Sequence, residues 1–330
     1  MTTGRATRDW LSLDAERTVE QIGTAIRDIV LKQLRRKGAV VGLSGGIDSS
    51  VVAALCVRAL GPERVLGLFM PETDSSDESL PLGRMLTDRL GIRTVLENIT
   101  PILQAAGCYE RRDEAIRKVV PEYTGDYKSK IVLPNVLEGE AYKIYSVIVE
   151  SPSGVQTKAR LTAEAYQGIV AATNFKQRTR KMMEYYHADR LNYAVAGTPN
   201  RLEYDQGFFV KNGDGAADFK PIAHLYKTQV YQLAEYLGVP DEIRKRPPTT
   251  DTYSLQQSQE EFYFSLSYDK MDVCVYGKNH DMPAARVASA TGLTPEQVER
   301  VYRDIESKRT ATRYLHLKPV LIEPVDQVAW

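Results

Sequence analysis

The chain has 330 residues, of which 43% are hydrophobic, and its 43 basic residues balance 43 acidic ones. This composition is sufficient for a large α/β core, and a zero net charge gives no whole-chain attraction to nucleic acid or anionic membranes. The three cysteines lack the paired spacings of zinc, iron–sulfur and dithiol sites, and no segment is apolar enough for a signal peptide or a membrane span, so we expect a cytoplasmic protein.

The first hundred residues alternate between strand and helix patterns. Strand patterns cover residues 39–43, 64–70 and 93–99, and helical patterns cover 14–36, 51–60 and 79–90. Strands that alternate with helices predict an open, mostly parallel, doubly wound α/β sheet with right-handed crossovers.

Residues 108–160 interrupt this rhythm, and we interpret them as an insertion. Within it, residues 141–150 and 155–161 flank a Ser-Pro-Ser-Gly turn and predict a β-hairpin. The α/β pattern resumes with a predicted helix at 162–188, a strand at 192–196 and a helix at 225–237; the remainder is predicted to be loop-rich, apart from a helix at 294–307. We therefore expect a single domain over residues 1–330 that carries an insertion at about 108–160.

The segment Ser44-Gly45-Gly46-Ile47-Asp48-Ser49-Ser50 lies between a predicted strand and a predicted helix. Backbone N–H groups and the helix dipole favour an anion at such a place, adjacent glycines allow close approach of phosphates, and the hydroxyls add donors. Asp48 would repel phosphates unless a cation lies between them, which indicates Mg2+. The same residues could instead form a tight turn with a helix cap.

The segment has neither the lysine of the P-loop nor the third glycine of the dinucleotide fingerprint. It resembles the signature loop of the ATP pyrophosphatase superfamily, which includes synthetases of NAD, GMP, asparagine and argininosuccinate as well as tRNA-modifying enzymes. The resemblance implies an adenine nucleotide alpha hydrolase-like fold and cleavage of ATP between its α and β phosphates. It indicates the type of reaction but does not identify the second substrate.

Further blocks resemble the ammonia-dependent NAD synthetase family. The run from Gly197-Thr198 through Glu203 and Gly207-Phe208-Phe209 to Asp218 is similar to the family's GT…E…GFFTKYGDGGAD. Segments 225–230 (LYKTQV), 248–251 (PTTD), 267–272 (SYDKMD) and 174–180 (NFKQRTR) resemble four more of its motifs, and Lys308-Arg309 resembles its closing KR pair.

The resemblance implies roles for individual residues. Asp48 and Glu203 would bind Mg2+, and these two carboxylates with Lys227 would form the catalytic set. The implied ATP-binding residues are Ser44, Gly45, Gly46, Asp48, Ser49, Ser50, Met70, Thr198, Lys227 and Thr249. The implied residues for the second substrate, deamido-NAD, are Asn174, Arg178, Lys211, Asp214, Asp218 and Lys308.

The implied reaction is adenylation of the deamido-NAD carboxylate followed by amination with ammonia. We expect ammonia to arrive free or from a separate glutaminase, since Ser44 lies too near the start of this sequence for an amidase domain to precede it. The resemblance also implies a homodimer. If the carboxylates bind metal, alanine at Asp48 or at Glu203 should lower turnover by several orders of magnitude and leave the melting temperature nearly unchanged.

Two departures from the family pattern leave alternatives open. The insertion is longer than the family usually has, and the segment 253–264 (YSLQQSQEEFYF) is unusually aromatic. The same chemistry on a different small-molecule carboxylate therefore remains possible, as do a tRNA-modifying or sulfur-transfer enzyme and a nucleotide sensor without turnover. The sequence shows neither a basic surface run nor a catalytic cysteine pair for the second of these, and a sensor would not need two metal carboxylates.

Overall fold

The structure is a computed structural model that describes residues 10–133, 145–248, 252–255, 263–264, 266–323 and 325. In chain order the strands are β1 (Ala39–Gly42), β2 (Val65–Phe69), β3 (Arg93–Leu96), β4 (Lys128–Val132), β5 (Ser146–Glu150), β6 (Gln156–Arg160) and β7 (Ala194–Ala196). The helices are α1 (Ala15–Arg27, continued by a π-helical turn at Asp28–Gln33), α2 (Ile47–Leu60), α3 (Ser79–Leu90), α4 (Thr100–Ala105), α5 (Cys108–Arg117), α6 (Ala163–Leu191), α7 (Arg201–Gln206), α8 (Lys227–Tyr236), α9 (Asp241–Lys245), α10 (Tyr268–Asn279), α11 (Ala284–Thr291) and α12 (Pro295–Thr312).

The main sheet has four parallel strands in the order β3-β2-β1-β7, as the alternation of patterns predicts. Successive side chains of β1 point to opposite faces, so Ala39 and Val41 join a core that contains α1, α2 and α8, whereas Val40 joins a second core that contains α4 and α6. Helices therefore cover both faces of the sheet, which confirms the doubly wound α/β class.

The insertion forms a second, antiparallel sheet in the order β4-β5-β6. Strands β5 and β6 are the hairpin that the Ser-Pro-Ser-Gly turn predicts, although β5 begins at Ser146 and residues 141–144 lie outside the described residues. Helix α5 and strand β4 lie in the same segment and were not predicted. Ile131, Val147 and Val149 of this sheet pack with Ile116 of α5 and Ile169 of α6 in a separate core, which holds the insertion against the long helix.

The prediction of a loop-rich end is wrong for residues 268–291, which form α10 and α11. Together with α12 these helices pack in a core built around Cys274, Val287 and Ile305. No helix in the described part of the chain is long and apolar enough to cross a membrane.

Candidate functional site

A cavity of about 410 Å3 opens at the carboxyl ends of the parallel strands, the usual place for ligands in this class of fold. It is lined by the residues that follow β1, β2 and β7, by one face of α6 and by parts of the insertion. The predicted site residues that line it are Ser44, Gly46, Asp48, Ser49, Met70, Asn174, Thr198, Glu203 and Asp214. Most of the predicted ATP site is thus brought together in one place.

The loop after β1 has the geometry of an anion site. Gly45 has a φ of +71°, and a Cβ atom there would lie 2.5 Å from the carbonyl oxygen of Ser79, so only glycine fits. Helix α2 begins at Ile47, with Gly46 at its N-cap and no side chain that caps it. The first-turn N–H groups and the positive end of the helix dipole can therefore face a phosphate.

The helix begins four residues earlier than the pattern of apolar residues predicts, because two serines bond back to the backbone. The hydroxyls of Ser49 and Ser50 donate to the carbonyl of Gly46 at 3.1 and 2.8 Å, and the Ser44 and Ser49 hydroxyl oxygens lie 3.3 Å apart. Ser50 is buried and does not line the cavity. Its hydroxyl therefore fixes the loop, whereas Ser44 and the largely buried Ser49 line the cavity.

Beside the loop, an ion pair joins the first turns of two helices. Asp48 of α2 accepts a close contact from the Nζ atom of Lys227, the first residue of α8, and the Lys227 side chain is fully buried. Asp272 of α10 accepts hydrogen bonds from the backbone N–H groups of Lys227 and Thr228 at 3.2 and 2.7 Å, which caps the start of α8. The usual expectation of an exposed lysine in a first helical turn is therefore wrong for Lys227.

Asn200 connects the two predicted metal carboxylates. Its Nδ2 atom donates to Asp48 at 3.1 Å, and its backbone N–H donates to Glu203 at 3.0 Å, while its own Oδ1 atom caps the start of α7. Sequence reasoning did not assign Asn200 a function. The signal was present, since Asn200 and Glu203 have the spacing of a capping box that begins a helix.

The protonation of this cluster follows from its burial and charges. Burial, and then the nearby charge of Asp48, raise the pKa of Glu203 to about 8. Burial works against the ammonium of Lys227, but the charges of Asp48 and Glu203 prevail, so the pKa of Lys227 is raised and it stays cationic. Burial also raises the pKa of Asp272 to about 7. Two carboxylates that repel each other at the edge of an anion site suit a divalent cation between them.

Helix α6 lines the cavity along a stripe of residues three or four apart. The stripe consists of Tyr166, Val170, Thr173, Asn174, Gln177, Arg180 and Glu184. At its C-terminal end, Glu184 pairs with Lys181 at 2.6 Å and lies so close to Gly42 that a Cβ atom there would be 2.7 Å from its Oε1 atom. The one helix therefore extends from the phosphate loop to the insertion.

Four predicted substrate residues lie off the cavity wall. Arg178 is exposed and its Nε atom donates to the carbonyl of Lys211 at 3.3 Å. The Nζ atom of Lys211 donates to a carbonyl near the C-terminus at 2.9 Å, and Asp218 accepts the N–H of Val195 on β7 at 2.7 Å.

Lys308 is buried, pairs with Asp304 at 2.8 Å and donates to the carbonyl of Tyr263, a cavity residue, at 2.7 Å. It can act on the cavity only through that tyrosine. Two predicted ATP residues besides Ser50 are also not on the wall: Gly45 lies within the loop and Lys227 lies behind Asp48. Thr249 lies outside the described residues.

A buried charge network holds the loop after β2 in place. Lys176 on α6, with its side chain 1% exposed, pairs with Glu72 at 2.9 Å and with Asp74 at 2.6 Å, and it donates to the carbonyl of Thr252 at 2.9 Å. Arg112 of α5 also pairs with Asp74, at 2.6 Å. The same loop carries Ser75 and Ser76 to the cavity wall. The sequence analysis included Lys176 in the 174–180 motif and assigned it no role of its own.

The chain is similar to known proteins over most of its length. The model of the family described as NAD synthase matches residues 18–124 and 138–313. A protein of Rhizobium meliloti named NH(3)-dependent NAD(+) synthetase is 60% identical over 320 residues, which cover 97% of this chain and 96% of that protein. A protein of Mesorhizobium japonicum with the same name is 61% identical over 311 residues, covering 94% and 98%.

Among solved structures, an NMN synthetase from Francisella tularensis aligns with a TM-score of 0.64 at 21% identity, covering 94% of this chain and 99% of that one. An NH3-dependent NAD synthetase from Campylobacter jejuni aligns with a TM-score of 0.61 at 23% identity, covering 94% and 100%. At these identities the structural matches establish a shared fold.

Proposed function

The chain belongs to the NAD synthase family, and we propose that it converts deamido-NAD, ATP and ammonia to NAD, AMP and pyrophosphate. It is then a ligase that forms a carbon–nitrogen bond. The observation that carries the proposal is the meeting, in one cavity, of an uncapped helix N-terminus, the buried Asp48–Lys227 pair and the second carboxylate Glu203. This arrangement suits a nucleotide triphosphate, and the near-full-length likeness to proteins named NH(3)-dependent NAD(+) synthetase supplies the second substrate.

In the first step a carboxylate oxygen of the substrate attacks the α-phosphorus of ATP, and the bond from that phosphorus to the bridging oxygen breaks. The departing pyrophosphate gains negative charge, which the first-turn N–H groups of α2 and the hydroxyls of Ser44 and Ser49 are placed to stabilise. Lys227 stays cationic behind Asp48, so it stabilises the same charge through space. In the second step ammonia attacks the acyl carbon, the bond to the AMP oxygen breaks, and the nitrogen loses one proton to solvent as the amide forms.

We propose Mg2+ as the ion that accompanies ATP. The described residues contain no group of three or more His, Cys, Asp or Glu side chains that could hold a metal alone, and Mg2+ is commonly held by one or two carboxylates together with substrate phosphates. Asp48 and Glu203 fit that donor set: both line the cavity, and burial together with the charge of Asp48 raises the pKa of Glu203, so a cation between them would relieve that strain on the ionised form. When bound, the ion would neutralise phosphate charge.

The remaining assignments are also proposals. Met70, Thr198 and Thr249 would contact ATP, and Asn174 and Asp214 would contact deamido-NAD from the cavity wall. The exposed Arg178, together with Lys211 and Asp218, could reach the substrate only if a second copy completed the site, which agrees with the homodimer implied by the family resemblance. Light scattering at micromolar concentration would test the dimer. Whether ammonia comes from a separate glutaminase requires a search for a partner in the cell.

The test of function is the formation of AMP, pyrophosphate and NAD from ATP, Mg2+ and ammonium, with and without deamido-NAD. We expect NAD at a turnover of about 0.1 per second or faster, and none from an Asp48→Asn variant. ATP cleavage only with a different carboxylate would overturn the assignment of deamido-NAD while leaving the adenylation chemistry. ATP binding without any pyrophosphate release would overturn both, as expected for a sensor.

A further inference from the structure

The cavity extends far beyond the phosphate loop, and its distant end is built by the insertion. The stripe on α6 runs from Glu184, beside β1, to Tyr166, near the start of the helix. With a rise of 1.5 Å per residue, these 18 positions place the two ends about 27 Å apart. A ligand whose reacting group lies at the loop therefore has to be long to reach the far end.

The far end is aromatic and uncharged. Tyr145 from the insertion and Tyr166 from α6 stack with ring centroids 4.0 Å apart and an interplanar angle of 18°, and both line the cavity. Tyr253 lines it beside them and is almost fully buried, and Leu133 and Val170 complete the wall. The rings are held by the core between the insertion sheet and α6, so they form a fixed face.

The charged side chains that line the cavity lie away from its aromatic end. Arg180 donates to the carbonyl of Met70 at the end of β2 at 3.4 Å, and Arg246 donates to Ser76 at 3.2 Å in the following loop. The described residues that line the far end carry no charge, and the middle of the stripe presents the amides of Asn174 and Gln177. Phosphates are thus favoured near the loop and at the amides, and a neutral planar ring is favoured at the tyrosines.

We propose that the stacked pair of Tyr145 from the insertion and Tyr166 from α6 binds the adenine ring of the dinucleotide substrate. The inference rests on the proposed function: the pyridine carboxylate must lie where ATP is cleaved, and the opposite end of deamido-NAD is its adenosine half. An aromatic face binds a base by stacking. The wall formed by Tyr145, Tyr166 and Tyr253, called the tyrosine wall below, therefore makes this chain select a dinucleotide over a mononucleotide.

The central variant is Tyr166→Ala. Loss of one stacked ring should raise the KM for deamido-NAD about tenfold, in line with the usual effect of removing a base-stacking residue. The KM for ATP should stay within about twofold. Nicotinic acid mononucleotide lacks the adenosine half, so its Ki as a competitive inhibitor against deamido-NAD should also stay within about twofold.

Two variants control for structural damage. Tyr166→Phe keeps the ring and should retain a KM for deamido-NAD near that of the unaltered protein. Tyr186→Ala removes a tyrosine that is 58% exposed on the same helix and outside the cavity wall, and it should change none of these constants. If Tyr166→Ala loosens the insertion as a whole, ATP and mononucleotide constants rise as well, which would overturn the proposal.

The outcomes separate this inference from the function on which it rests. If the unaltered protein makes no NAD from deamido-NAD, the function falls and the inference with it. If it makes NAD, any of three results with Tyr166→Ala would overturn the inference alone. These are an equal rise in the KM for deamido-NAD and the Ki for the mononucleotide, a rise in the KM for ATP alone, and no change in any of these constants. A rise in the KM for deamido-NAD with Arg178→Ala but not with Tyr166→Ala would place the adenosine half on the exposed face of α6 and would also overturn it.

Discussion

Glu203 should make the protein less stable as the pH rises, and replacing it with glutamine should remove that dependence. Burial and the Asp48 charge raise its pKa from the ordinary 4.5 to about 8 in the folded protein. Between these values the folded state keeps a proton that the unfolded state has lost, so stability falls as pH rises through this window. At 1.36 kcal/mol per pKa unit, the loss between pH 5 and pH 7 is about 2 to 3 kcal/mol.

The measurement is the melting temperature from pH 5 to pH 8 for the unaltered protein and for Glu203→Gln. The glutamine oxygen can still accept the Asn200 N–H that Glu203 accepts at 3.0 Å, so the helix cap survives. Asp272, whose raised pKa acts in the same direction, is present in both proteins and cancels in the difference. The variant should gain about 3 to 4 °C relative to the unaltered protein over pH 5 to 7.

A difference that does not change with pH would refute the charge argument. Repeating the series with Mg2+ tests the proposed ion by a readout other than activity. An ion bound at Asp48 and Glu203 favours the ionised carboxylates, so millimolar Mg2+ should shrink the pH-dependent difference between the two proteins. An unchanged difference would argue against Glu203 as a ligand in the absence of nucleotide.

Two further predictions follow from buried charges. Asp48→Ala leaves the fully buried Lys227 without its counter-ion, so it should cost about 3 to 5 kcal/mol of stability as well as turnover, contrary to the sequence-based expectation of an unchanged melting temperature. An Asp48→Ala/Lys227→Met double variant should recover the stability and remain inactive. A normal melting temperature for the single variant would contradict this account. Lys176→Met should lower the free energy of unfolding in urea by a similar amount, whereas Lys118→Met, which breaks an exposed pair, should cost under about 1 kcal/mol; equal losses would show that burial does not set the value of these pairs.

Much of the fold was predictable because three strands of the main sheet, β1, β2 and β7, are short, buried apolar runs. Helix α3 begins and ends where its pattern predicts, at Ser79 and Leu90. Helix α10 could not be predicted in this way, because it is buried on nearly every side and its apolar residues follow no single stripe. Strand β4 depends on pairing with β5, a tertiary contact that no local pattern encodes.

The candidate site divides along similar lines. The glycines, serines and Asp48 of the loop are contiguous in sequence, so the loop could be identified from its residues alone. The burial of Lys227 and Lys176 could not be predicted from sequence, because a lysine on a helix is usually exposed. These two lysines are buried by the packing of α8 and α6. The tyrosine wall depends on the meeting of Tyr145, Tyr166 and Tyr253, which are distant in sequence.

The charges around the loop suggest why ATP and a divalent ion would bind together. At pH 7 the Asp48–Lys227 pair is neutral, and Glu203 with a pKa of about 8 is mostly protonated, so these three groups carry little net charge without ligands. ATP alone would bring its phosphates close to Asp48, and a cation alone would have to displace the proton of Glu203. Each ligand would remove the obstacle to the other, because a bound cation would neutralise phosphate charge and phosphate oxygens are ligands that such a cation prefers. The raised pKa of Glu203 thus works against occupation of the site by the ion alone and favours arrival of the nucleotide with its metal.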